Sequence, residues 1–126
     1  MFALAFGVVY LLVGLVGFAV TGFDEFASET GEKLILFEIN PLQNIIHIAV
    51  GALWLGASSK HSSAKRVNTL IGAVYLALAV LGFAGALDTL ISNNTADSFL
   101  HLATGALSLY FGTAGAEGPG RTTTTV

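Results

Sequence analysis

Cysteine is absent from the 126 residues, which excludes disulfides, thiolate metal sites and a cysteine nucleophile. Charge is scarce as well. Asp, Glu, Lys and Arg together make up 10% of the chain, against about 25% in a soluble domain. Proline occurs only at Pro41 and Pro119, so no long apolar run is broken by one. Water is therefore not the main solvent expected for this chain. What is abundant is apolar sequence, 54% of the residues, in a length that allows one domain.

Crossing ~30 Å of hydrocarbon takes roughly 20 apolar residues in a helix, with ~17 as a lower limit. Four stretches qualify, at about residues 2–23, 42–59, 67–87 and 97–115. In lipid each must be helical, so that every backbone N–H and C=O is paired within its own segment. The chain is thus predicted to be all-α, a four-transmembrane-helix bundle over residues 1–116 with a flexible cytoplasmic tail at 117–126.

Lys60, His61, Lys65 and Arg66 lie between the second and third spans, and Arg121 follows the fourth. Seven of the acidic residues fall in the two loops on the other side, where Lys33 is the only basic residue. Basic loops stay in the cytoplasm, so both termini are expected inside and the acidic loops outside an inner (plasma) membrane. The basic cluster is read as this orientation signal, with contact to anionic lipid. A nucleic-acid role has no basic face or interleaved aromatics to support it. The first span has no basic leader region and is expected to be retained rather than cleaved.

The chain also repeats itself. The stretch from Asn40 to Leu53 matches Asn94 to Leu107 at an offset of 54, with Asn, His, Ala, Gly, Ala and Leu identical. At an offset of 65, Gly7, Tyr10, Gly14, Gly17 and Phe18 match Gly72, Tyr75, Ala79, Gly82 and Phe83. The difference of 11 residues is a longer first outer loop. The predicted unit is a two-helix hairpin used twice, at 1–59 and 67–115, with the pseudo-twofold axis along the membrane normal. Small residues on one stripe (Gly7, Gly14, Gly17, Gly72, Gly82, with Gly51 and Gly105 on the partner spans) let helix backbones approach closely. Tyr10 and Tyr75 share that stripe. Asn40 with Gln43, and Asn94 with Asp97, have N-cap spacing, and Pro41 suits the first helical position.

His47 and His101 each stand seven residues past their cap, ~10 Å along the helix. They are expected at one depth, facing the bundle, because ionisable groups in lipid are costly. Asn44, Gly51 and Trp54 share the face of His47, and Ser98, Gly105 and Ser108 that of His101. The plainest role is a neutral imidazole donating across helices to a carbonyl, to Asn44 or Ser98, or to Tyr10 or Tyr75. The alternative is ligation, with the two rings holding a haem- or chlorophyll-type macrocycle. A lone metal ion has too few ligands. Transport is a third class, but no acidic residue lies at mid-membrane and no span is broken. No nucleophile motif marks an enzyme.

The run from Asn40 to His47 followed by Gly51, with Ala96 to His101 followed by Gly105, resembles the bacterial membrane family known as domain of unknown function 4383. The resemblance covers nearly the whole chain and implies a small four-span membrane protein with no assigned activity. The chain departs from the family pattern at Gln43, where a histidine is common, and so lacks a ligand that a metal site there would use. The expected function is a helix-packing or accessory role, self-associated or beside other membrane subunits, with cofactor binding at His47 and His101 as the alternative.

Overall fold

The computed structural model describes residues 1–27, 29–88 and 91–114. The predicted tail at 117–126 and Arg121 lie outside the described residues, as does the end of the fourth predicted span. The architecture is all-α. Four helices account for most of it: α1 (Phe2–Thr21), α2 (Pro41–Ala57), α3 (His61–Phe83) and α4 (Thr95–Thr113). Two short strands, β1 (Lys33–Leu34) and β2 (Phe37–Glu38), form an antiparallel hairpin between α1 and α2.

Local chemistry sets three of the helix ends. Gly22, at φ +61°, ends α1 in a conformation that costs a residue with a Cβ ~1–2 kcal/mol. Asn40 caps α2 by accepting from the Gln43 N–H at 2.8 Å, with Pro41 behind it. Asn94 and Asp97 form a reciprocal capping box on α4, each side chain accepting from the other's backbone N–H at 3.0 Å.

One boundary differs from the sequence expectation. The basic cluster, expected as a loop, supplies the opening of α3, which begins at His61, and the α2–α3 turn is only Ser58–Lys60. Hydropathy marks where apolar side chains start. Helix continues beyond them because residues 61–66 contain no glycine or proline and include the good helix formers Ala64, Lys65 and Arg66.

Helix α1 packs along α2, and α3 along α4. Glycine sets how close they come. A Cβ on Gly51 would stand 2.5 Å from the backbone N of Leu11, and one on Gly72 would stand 2.5 Å from that of Leu109. The two hairpins then meet along a line of side chains. Tyr10 and Tyr75 touch edge-on with ring centroids 5.7 Å apart, and the Tyr10 hydroxyl donates to Thr104 Oγ1 at 3.0 Å. Trp54 Nε1 donates to Asn68 Oδ1 at 2.9 Å, and Phe2 stacks on Phe111.

Polarity is inverted relative to a water-soluble bundle. Asn44, Asn68, Ser98, Thr104 and Ser108 are buried, while Leu12, Leu15, Val16, Leu53, Leu70 and Val80 are about half exposed or more. Two helices, α1 and α3, are long and apolar enough to cross a membrane, and α2 is a shorter apolar helix.

Candidate functional site: a cavity lined by two histidines

Helix α2 carries His47 two turns beyond its Asn40 cap, and α4 carries His101 two turns beyond Asn94. Both rings are buried, at 8% and 4% exposure. Each meets a tyrosine edge-on at 5.3 Å between centroids, His47 with Tyr10 and His101 with Tyr75. Since the tyrosines also touch each other, the four rings form one continuous aromatic row from α2 to α4.

The hydrogen bonds expected from the histidines are not made. Asn44, Ser98 and Tyr10 bond to other groups. Asn44 Nδ2 donates to Thr21 Oγ1 at 3.0 Å, and Ser98 Oγ accepts from Asn93 Nδ2 at 3.1 Å. Tyr10 sends its hydroxyl past the histidine to α4. Nδ1 of His47 and Nδ1 of His101 are both enclosed without a partner among the described residues, as is Asn44 Oδ1. A buried polar atom left unpaired costs ~1–3 kcal/mol, so two at equivalent positions call for a reason.

Both imidazoles also line a cavity. A cavity of about 310 Å³ is lined by α1 (Phe6, Val9, Tyr10, Val13), the β-hairpin segment (Leu34, Ile35, Phe37, Ile39), α2 (Gln43, His47) and α4 (Asp97, Leu100, His101, Thr104). The hairpin is tied across it. Asp97 Oδ2 accepts from the Glu38 N–H at 3.0 Å as well as from Asn94, and Asn94 Nδ2 donates to the Leu36 carbonyl at 2.9 Å. Gln43, with its amide oriented to satisfy its neighbours, donates to the carbonyls of Ser92 at 2.8 Å and Glu38 at 3.2 Å.

The structure thus brings Gln43, His47, Asp97, His101 and Tyr10 to one cavity. Asn40, Asn44, Asn94 and Ser98 serve instead as caps and inter-segment hydrogen-bond partners around it. Gly7, Gly14, Gly17, Gly51, Gly72, Gly82 and Gly105 all stand where a Cβ would crowd a neighbouring segment, and Tyr75 backs His101. Sequence reasoning missed Phe6, Phe37 and Thr104, and missed the hairpin altogether. The signal for the hairpin was the 11-residue excess of the first outer loop. Among the described residues, no group of three or more His, Cys, Asp or Glu side chains could hold a metal ion.

Fold and site define a class: an all-α protein of two packed helix pairs, apolar outside and polar within, with a histidine-lined cavity. The chain belongs to the family described as Domain of unknown function (DUF4383), which matches residues 1–114. No curated protein and no solved structure matches it.

Proposed function

We propose that this chain is a multi-pass membrane protein of four spans, with both termini cytoplasmic, acting as a non-enzymatic packing or accessory component of the inner membrane. The observation that carries this reading is the inverted polarity. A water-soluble bundle would not leave leucines and valines exposed along α1 and α3 while burying Asn44, Asn68, Ser98 and Ser108. Lengths agree: α2 and α4, at 17 and 19 residues, measure ~26 and ~28 Å, near the hydrocarbon thickness.

The duplication belongs to this reading. Gly7 and Gly51 cross the partner helix at Leu55 and Leu11, and Gly72 and Gly105 cross at Leu109 and Leu76, the same register displaced by the two sequence offsets. Two copies of a double-crossing unit share one orientation, which places Lys60 to Arg66 inside and the β-hairpin outside.

The experiment uses the absence of native cysteine. Asp24→Cys and Ser59→Cys each introduce a unique thiol at an exposed position. An impermeant maleimide applied to intact spheroplasts should label Asp24→Cys and spare Ser59→Cys until the membrane is opened. Equal labelling of both sinks the topology. For the accessory role, a strictly monomeric species with no partner retained in mild detergent is the opposing result.

A haem- or chlorophyll-type macrocycle between His47 and His101 is less well supported by the cavity. At about 310 Å³ it stands at the bottom of the range for drug-sized ligands, and Tyr10 and Tyr75 already pack against the two imidazoles.

A further inference from the structure

We propose that the cavity beneath the β-hairpin binds a small, neutral, ring-sized lipophile carrying carbonyl oxygens, which accept hydrogen bonds from His47 and His101. The proposal rests on the membrane reading in one respect: the bilayer is where such a molecule is concentrated.

The histidines specify the ligand's polar end. Neither imidazole is hydrogen-bonded to a described residue, and Nδ1 of each is enclosed. An enclosed nitrogen without an acceptor holds a bare lone pair more readily than an orphaned N–H, since unsatisfied donors are the rarer of the two in proteins. The proton of each neutral ring therefore belongs on Nε2. Both rings line the cavity, so it is the space left in which that N–H can find an acceptor.

The other polar side chains of the wall have partners, and Thr104, which accepts from Tyr10, retains its own hydroxyl proton. Asp97 accepts from two backbone N–H groups, Gln43 donates to two carbonyls, and the Tyr10 hydroxyl donates to Thr104. No lysine or arginine lines the space, and Asp97 does, so an anion has no counter-charge there. The rest of the wall is hydrocarbon, with Phe6 and Phe37 offering flat faces to a ring. A volume of about 310 Å³ takes one or two fused rings.

The test compares para-naphthoquinone with naphthalene, two probes of similar shape that differ in the acceptor oxygens. The purified full chain in mild detergent is dialysed to equilibrium against each, with protein-free micelles as the partition reference. The chain has no thiol for the quinone to alkylate. The hydrocarbon partitions more strongly into micelles, so partition alone favours the opposite result. The expected outcome is saturable quinone binding about tenfold tighter than naphthalene, as hydrogen bonds to otherwise unpaired groups would give. His47→Phe and His101→Phe should each erase most of that preference.

Equal affinity for the two probes in the unaltered protein overturns the proposal, whether or not the variants fold. Quinone preference undiminished in both folded variants overturns it too. Failure of the membrane reading is a separate observation, a chain that stays monodisperse without detergent. The probe ratio can be measured in that case as well.

Discussion

The two helix pairs solve the same packing problem with different side chains. Where backbones cross, the solutions coincide. Gly51 lies against Leu11 and Gly105 against Leu76, with the projected Cβ 2.5 and 2.8 Å from the opposing backbone nitrogen. Where side chains meet, they diverge. Gly14 of the first pair stands where the second has Ala79, Asn44 where it has Ser98, and Trp54 where it has Ser108. Helix association in lipid depends on close backbone approach because no hydrophobic force drives it. The difference teaches that glycine recurs where backbones touch, whereas position 14 of the first pair corresponds to a position that carries a methyl, Ala79, in the second. Gly14 lies against the Asn44 carbonyl and Ile48, whereas the side chains of Asn44 and Ser98 face Gly17 and Gly82, glycine in both pairs.

The severest way to break the correspondence is to add one methyl at a crossing. Gly51→Ala and Gly72→Ala each place a Cβ 2.5 Å from a backbone nitrogen, which no rotamer change relieves. The helices must separate, at a cost of ~2–3 kcal/mol, the upper part of the overpacking range. Gly56→Ala is the control, since nothing lies within 4 Å of its projected Cβ. It should be neutral or stabilise by up to about 1 kcal/mol through helix propensity. Thermal denaturation in detergent ranks the three, and loss of the same size in Gly56→Ala would mean that alanine harms α2 for reasons other than the crossing.

A subtler experiment targets the divergent position. Gly14→Ala sets a Cβ 2.6 Å from both the Asn44 carbonyl oxygen and Ile48 Cγ1, and should cost ~1–2 kcal/mol. The equivalent alanine is native in the second pair, where Ala79 is buried without difficulty. The reverse change, Ala79→Gly, should cost only ~1 kcal/mol, from helix propensity and a missing methyl. If Gly14→Ala proves harmless, α1 gives way to Asn44 and Ile48 at no cost, and glycine at 14 carries no structural meaning.

Much of the fold was legible because long apolar helices leave a strong record in sequence. Length, absence of charge, the two Asn caps and the recurring glycines predicted four helices and their pairing faces. The burial of His47 and His101 could be read from the polar residues sharing their stripes. Two things could not be read. Which helices neighbour one another depends on contacts such as Tyr10 with Thr104, and Thr104 shows no pattern of its own. The cavity depends on the β-hairpin, whose strands are two residues long, too short for any periodic signal. The expectation that the histidines would donate to Asn44, Ser98 or the tyrosines did not hold: Asn44, Ser98 and Tyr10 bond instead to Thr21, Asn93 and Thr104, and Asn44 Oδ1, the atom that could accept, has no partner among the described residues.

That hairpin is the largest difference between the halves, and its turn is built against local preference. Ile35, at φ +61°, occupies the first position of the two-residue loop joining β1 to β2. Glycine is favoured at such a position, and a β-branched residue there is strained by ~1 kcal/mol or more. Its side chain is 83% exposed, so little burial repays the strain. Ile35→Gly should relieve the turn, while the extra freedom of glycine in the unfolded chain offsets most of the gain. Global stability should therefore move by no more than about 0.5 kcal/mol. The informative readout is local. Exchange of the Glu38 amide hydrogen, which is bonded to Asp97 Oδ2, should slow if turn strain limits how tightly the hairpin closes over the cavity. Faster exchange would show that Ile35 holds the hairpin through its own apolar side chain, and that the first half keeps the strained turn for the contact it secures.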